Sequence, residues 1–444
     1  MKPHIKILPP GPKARAIIAR DNAVTSQSLG RPYDLVVAKT YGVNIEDPDG
    51  NRFLDFNSGV AVANTGYNHP AIIKAIRKQL GATLHGAFLD FYGEVPLRYQ
   101  EKLVRLMPHG IDTVFLSNSG TEAVEAARKL AIYYTRRAYI MGFYGAFHGR
   151  TMGSLSITCS KTVYRNRFGP FLPTIHVPYP NLYRNPFGTS NPAQVAKASL
   201  DFIEDTIFHK QVDPKEIAAI MFEPIQGEGG YIVPPIAFVK GIRRLCNAYD
   251  ILLIADEIQT GCMRTGRFLA IEHFGVTPDI ICLAKAAGGG LPLAATLYKK
   301  KYDTWPRASH ASTFGGNHLS AAAGLEALNL LSKPSLGLEV TKKGNYIQSY
   351  LRDLALSEHI IGDIRGIGLM IGIELVKNRH SKIPASIERD HILKTCFKSG
   401  LALLGAGTST IRIAPPLIID YSDIDAGLDI LCRAIKQEHK GMLS

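Results

Sequence analysis

The middle of the chain alternates short, wholly apolar runs with helix-length segments, and this alternation limits the fold more than any other feature. The clearest runs are Ile217–Phe222 (IAAIMF), Ile251–Ala255 (ILLIA) and Asp279–Ala284 (DIICLA), with a helix expected near Ala237–Tyr249. Thr113–Ser117 and Tyr139–Phe143 read as two further strands, on either side of a helix over Thr121–Tyr134. Strands with no polar face must be covered on both sides, so the pattern predicts an α/β fold with a mostly parallel sheet between helices. Ligands in such sheets gather at the carboxyl ends of the strands.

The chain ends follow another pattern. The first sixty residues hold a short helix candidate at Pro12–Asp21 and a hairpin-like stretch, YGVNIEDPDGNRFLDF, turning at Asp49-Gly50. Pro70–Leu80 has helical spacing, with Ile72, Ile73, Ile76 and Leu80 on one face. After about residue 335 come strands near Gly362–Leu375, a helix near Ser386–Ser399 and a last helix near Asp423–His439, a smaller α+β unit. The expected division is an N-terminal segment (1–65) packing with a small C-terminal domain (336–444), and a large domain at 66–335.

With 444 residues, 46% apolar and 20% charged, the chain can bury more than one core. Its net charge is +13, yet Lys and Arg are scattered and no basic tail stands out, which favours a basic enzyme over a nucleic-acid binder. The six cysteines form no C-x-x-C pair, so no metal or redox site is suggested. Prolines interrupt the first residues, and no apolar run has the length of a membrane span. A soluble, cytoplasmic protein is expected.

Asp256 ends the run ILLIAD, where a carboxylate is costly unless a cation meets it. It reads either as a helix cap or arginine partner, or as the partner of a protonated ring nitrogen. Lys285 follows the run IICLA and precedes three glycines. It is either a surface lysine with a buried stem or a desolvated, nucleophilic amine. Ser119-Gly120-Thr121 lies between a strand and a helix, and serves as an N-cap or as a phosphate site. Thr313, in STFGGN, offers a similar hydroxyl. Phe147 and His148, in GAFHGRT, are core groups or the wall of a flat heterocycle. Arg150 and Arg412 have the planar fork that grips carboxylates, although most arginines are merely solvated. Glu223 and Glu228 flank a turn in FEPIQGEGG, where surface carboxylates are the plain explanation.

Taken together, NSGTEAVEAARKLA, GAFHGRT, EPIQGEGG, LLIADEIQTGCMRTGRF, PDIICLAKAAGGGLPLAA, STFGGNHLSAAAGLEAL, IRGIGLMIGIEL and IRIAPPL resemble the class III aminotransferases. This is the subgroup of fold-type I pyridoxal-phosphate enzymes that includes 4-aminobutyrate, ornithine and acetylornithine aminotransferases. The resemblance runs in family order over nearly the whole chain. It implies that Lys285 holds pyridoxal 5'-phosphate as a Schiff base and moves the substrate proton, and that Asp256 meets the pyridine nitrogen. By the same resemblance Ser119, Gly120 and Thr121 hold the phosphate, with Thr313 reaching it from a second subunit. Phe147 stacks on the ring, His148 belongs to the cofactor site, Gln259 lies by the 3-hydroxyl and Glu223 lies near the substrate.

Substrate roles are implied in the same way. Arg150 resembles the residue that binds the carboxylate distant from the amine, and Arg412 the one that binds an α-carboxylate. Glu228 resembles the partner of Arg412 when the donor has no α-carboxylate. Val60 stands where ornithine aminotransferases resemble one another in carrying tyrosine. The implied reaction moves an amino group from 4-aminobutyrate or a similar ω-amino acid to 2-oxoglutarate, in a homodimer or a tetramer. Acetylornithine and ornithine aminotransferases share much of the pattern. The segment RFGPFLPTIHVPYPNLYRNPFG resembles a branch with amino-acid racemases and epimerases, in which the arginine of HGRT is often replaced.

Overall fold

Seven strands of the middle segment form one sheet: β1 (Thr113–Ser117), β2 (Tyr139–Phe143), β3 (Thr174–Val177), β4 (Ile217–Phe222), β5 (Leu252–Asp256), β6 (Ile280–Leu283) and β7 (Ala294–Tyr298), in the order β1-β7-β6-β5-β4-β2-β3. The ladder from β6 through β5, β4 and β2 to β3 is parallel throughout. β7 is antiparallel to both neighbours, β1 and β6. Every residue of β4, β5, β6 and β7 is buried. That explains their mostly apolar sequences, Asp256 and Thr296 apart, because neither face meets water.

The computed structural model describes residues 2–443, which divide into two compact units. One unit is Ala71–Gly337 and holds this sheet; the other joins the residues up to Pro70 with those from Leu338 onward.

Helix α1 (Gly120–Thr135) buries Ala123, Val124, Ala127, Leu130 and Ala131 in a core shared with Ile140, Ala219, Ile254 and Cys282. Its run of alanines lets the helix backbone approach the sheet closely. Helix α2 (Ile236–Ala248) turns Phe238, Val239, Ile242 and Leu245 inward at helical spacing. Each such aliphatic or aromatic side chain contributes about 1.5–3 kcal/mol on burial.

The other unit is built around two four-stranded sheets. Lys39–Tyr41, Asn44–Glu46 and Arg52–Asp55 form an antiparallel meander, which Leu401–Ala402 extends in parallel from the far end of the chain. Ile361–Ile367, Met370–Leu375, Thr410–Ile413 and Leu404–Ala406 form the second, wholly antiparallel sheet. Phe397 packs with Phe53, Ile45 and Ala402, and its ring stacks on Tyr33 at 4.7 Å. No helix among the described residues is long and apolar enough to cross a membrane.

Candidate active site

The carboxyl ends of adjacent strands bring the two central residues into one neighbourhood. Asp256 is the last residue of β5 and pairs in register with Cys282 of β6. Lys285 comes one residue after β6, opening the short turn Lys285–Gly288 with a left-handed φ of 51°. A lysine accepts that conformation at some cost, which the surrounding packing sustains.

Asp256 is 3% exposed. One carboxylate oxygen meets His148 Nδ1 at 2.7 Å, and the other accepts the Ile258 N–H at 3.0 Å. Burial alone lowers the affinity of His148 for a proton. The hydrogen bond and charge of Asp256, with Glu223 adding to them, outweigh this and hold the imidazole above its ordinary pKa. His148 is fixed at its backbone too, donating its N–H to Thr158 Oγ1 at 2.9 Å.

Glu223 is likewise buried, not a surface residue of the turn. Its oxygens accept the Phe147 N–H at 2.9 Å and the Gly227 N–H at 2.8 Å, tying the GAFHGRT loop to the EPIQGEGG loop. Burial pushes its carboxyl up to about 7; His148 pulls it down, and the charge of Asp256 raises it.

The start of α1 forms the third part. Ser119 caps the helix by accepting the Glu122 N–H. Thr121 Oγ1 lies 2.8 Å from Thr151 Oγ1 and 2.6 Å from Ser154 Oγ. The contact is possible because Gly149 stands above it at φ +135°, where a Cβ would collide with both Thr121 and Ser154. Thr313 is exposed, in a loop bordering a cavity of about 390 Å³ with Ser117, Asn118 and Glu122; Asn118 donates to the neighbouring Ser312 Oγ at 2.9 Å.

A fourth group lies beside Phe147. The Phe147 ring meets Tyr164 edge-on at 5.6 Å, and the Arg150 guanidinium lies over both rings, 4.5 Å from the Tyr164 centroid and 5.8 Å from that of Phe147. Arg150 is exposed and has no carboxylate partner among the described residues. Glu228 receives Lys161 Nζ at 2.5 Å and the Tyr164 hydroxyl at 3.0 Å. Lys161 and Tyr164 escape a reading of the sequence because they sit on a turn of three residues, Thr162–Tyr164 and its flank, with no periodicity to mark them. The hydroxyls of Thr151 and Ser154 around Thr121 escape it because the helix they open, Met152–Ile157, is too short to show a period.

Val60 and Arg412 belong to the other unit. Val60 is half-buried with left-handed backbone angles, φ 64° and ψ 53°. Arg412 lies in the strand Thr410–Ile413 and is 6% exposed.

The class III aminotransferase family model matches residues 25–435. An alanine/serine racemase of Pyrococcus horikoshii is 36% identical, over 99% of this chain and 94% of the relative. A 4-aminobutyrate aminotransferase of Mycobacterium leprae is 35% identical, over 96% of each chain. The solved (S)-enantioselective omega-transaminase of Thermomicrobium roseum superposes with a TM-score of 0.89 at 28% identity, covering 96% of this chain and 99% of that one. The chain therefore belongs to the class III aminotransferases. It is a pyridoxal-phosphate-dependent enzyme with the fold-type I α/β architecture.

The large unit suits that cofactor on its own geometry. The N-terminus of a sixteen-residue helix, with a serine cap and glycine at its first position, offers N–H groups to a phosphate. A Cβ at Gly120 would crowd Ile258, so the backbone there stays bare. His148 Nε2 and Gln259 Oε1 are buried without a hydrogen-bond partner, as groups facing a polar heterocycle would be.

Proposed function

We propose that the enzyme is an ω-aminotransferase that takes the amino group of 4-aminobutyrate or a similar ω-amino acid and gives it to 2-oxoglutarate. The observation that carries this reading is Arg150, a guanidinium on an aromatic base beside Phe147 with no carboxylate of the described chain to neutralise it. A planar fork in that state suits a substrate carboxylate remote from the reacting amine.

Bound pyridoxal phosphate supplies an electron sink for the carbon that carries the amino group. Lys285 holds the cofactor's aldehyde carbon and moves the proton at the substrate carbon. Asp256 presents a carboxylate to the ring nitrogen, and His148 keeps that carboxylate oriented. Ser119, Gly120 and Thr121 take the phosphate, Phe147 covers the ring face and Gln259 stands at the 3-hydroxyl side. Glu223 holds the Phe147 backbone in place. Arg412 takes the α-carboxylate of the oxo acid, Glu228 answers Arg412 when the donor has none, and Val60 leaves the donor channel aliphatic. The assembly in this reading is a homodimer, or a tetramer of such dimers, in which Thr313 serves the phosphate site of the neighbouring subunit.

A second reading is amino-acid racemisation on the same residues, favoured by the racemase relative that spans 99% of the chain. A donor panel separates the two. Single amino compounds are mixed with the holoenzyme, and loss of the cofactor's visible band is followed before oxo acids are added. The ω-aminotransferase reading requires 4-aminobutyrate to bleach the band and 2-oxoglutarate to restore it. Inversion of an L-amino acid without any oxo acid, with 4-aminobutyrate inert, would overturn it.

A further inference from the structure

A larger cavity, of about 830 Å³, opens at the other end of the same sheet. Its wall takes in Leu252, where β5 begins, Asp279, which precedes β6, and Lys299, which follows β7. Asp256 lies at the far end of β5, about 13 Å away at the rise of a strand. The cavity is therefore separate from the neighbourhood of Asp256 and Lys285, and its volume suits a small molecule.

Four cationic side chains, Lys240, Arg243, Lys299 and Lys301, line it against two carboxylates, Asp250 and Asp279, an excess of two positive charges. Asp279 is buried and already fully engaged. One oxygen accepts Lys299 Nζ at 2.8 Å and the Tyr302 hydroxyl at 2.7 Å. The other accepts Arg243 at 2.7 Å and the Leu253 N–H at 2.9 Å. Four donors use all its acceptor positions. Burial alone would raise this carboxyl, but Arg243 and Lys299 outweigh it and hold it below its ordinary value. Two cations thus share one anion. Arg243 gives that anion a single nitrogen, and its Nε is buried with no hydrogen-bond partner. Lys240 lies on the same face of α2, three residues before Arg243. Neither Lys240 nor Lys301 has a carboxylate partner among the described residues, and the exposed Asp250 pairs with none of the four cations.

We propose that this cavity binds a diphosphate group, either free or as part of a nucleoside diphosphate. Asp279 holds Arg243 and Lys299 as a fixed wall, while Lys240 and Lys301 supply the two charges that no carboxylate answers. These cations come from α2 and from the segment after β7, so an anion longer than one phosphate spans them better than a single phosphate does. Tyr134 lines the same cavity, 38% exposed and edge-on to Tyr302 at 4.8 Å, and offers a ring to a base.

The test is calorimetric titration of the holoenzyme, whose cofactor keeps the active site filled, with pyrophosphate and with ADP. One anion bound per chain is expected, with an affinity that falls as salt rises. Lys240→Met with Lys301→Met should weaken binding roughly tenfold. Lys394→Met with Lys436→Met removes the same charge from exposed positions on helices of the other unit and should leave binding unchanged. Equal affinity for the two probes assigns the site to free diphosphate. Tighter binding of ADP, returned to the pyrophosphate level by Tyr134→Leu, assigns it to a nucleotide. No saturable binding of either probe up to about 1 mM would overturn the proposal. So would binding that the Lys240 and Lys301 variant retains, or that the control pair weakens equally.

Discussion

Glu223 shows what one buried carboxyl costs and how that cost depends on pH. In the folded chain it titrates near 7, against an ordinary value of 4.5, because burial disfavours the charged form. Below about pH 4.5 the group is neutral in both folded and unfolded chains and carries no penalty. Between 4.5 and 7 the unfolded chain ionises first, so stability falls as pH rises, and above 7 the loss is complete, on the order of 3 kcal/mol. Thermal melts of the cofactor-free protein from pH 5 to 8 should show this fall, and Glu223→Gln should flatten part of it. Part of the remaining slope belongs to Glu257 and Asp55, whose carboxyls burial pushes up to about 7 and about 6. An identical slope in the variant would remove Glu223 from the explanation. At the substrate end, Arg412→Ala should raise KM for 2-oxoglutarate more than for 4-aminobutyrate, since only the former brings an α-carboxylate. Steady-state kinetics with each substrate varied in turn check this, and equal losses would contradict the role given to Arg412.

At the scale of elements, α1 does two tasks with one sequence. Its first turn presents Ser119, Gly120 and Thr121, while its later turns bury Ala127, Leu130 and Ala131 against the sheet. Leu130 is wholly buried, so Leu130→Ala should cost about 2–5 kcal/mol, seen as a lower urea midpoint. Gly149→Ala should act on the first turn instead. Its Cβ would displace Thr121, so weaker retention of pyridoxal phosphate on dialysis is expected, and unchanged retention would contradict it. The same elements show how far the sequence could be read. β1, β2 and β4 coincide with the expected strands, β5 shifts by one residue and β6 is one residue shorter at each end, because strands buried on both faces leave an unbroken signature. β3 and β7 escape such a reading. β3, Thr174-Ile175-His176-Val177, mixes a histidine with apolar residues, and β7 comes three residues after a glycine run that looks like loop. The positions of Asp256 and Lys285 at neighbouring strand ends were legible, because each closes an apolar run. The Lys161–Glu228–Tyr164 contact was not, since sixty-odd residues and a coil segment separate its members.

At the scale of the whole molecule, residues from both chain ends share one sheet, with Leu401–Ala402 beside Arg52–Asp55, so the unit that holds Val60 and Arg412 cannot form from either end alone. The proposed sharing of sites between subunits has its own test. Lys285→Ala and Thr313→Asp should each be inactive as homodimers, yet subunits mixed after dissociation should regain up to about a quarter of the parent activity, because half of the sites in each mixed dimer are intact. No recovery would argue that each subunit works alone. The most direct measurement concerns Lys285 itself: borohydride reduction of the holoenzyme, followed by digestion and mass mapping of the pyridoxyl label. The expected result is one labelled peptide, carrying the modification on Lys285 and absent from Lys285→Ala. A label on another lysine, or none, would contradict the chemistry built on the ends of β5 and β6.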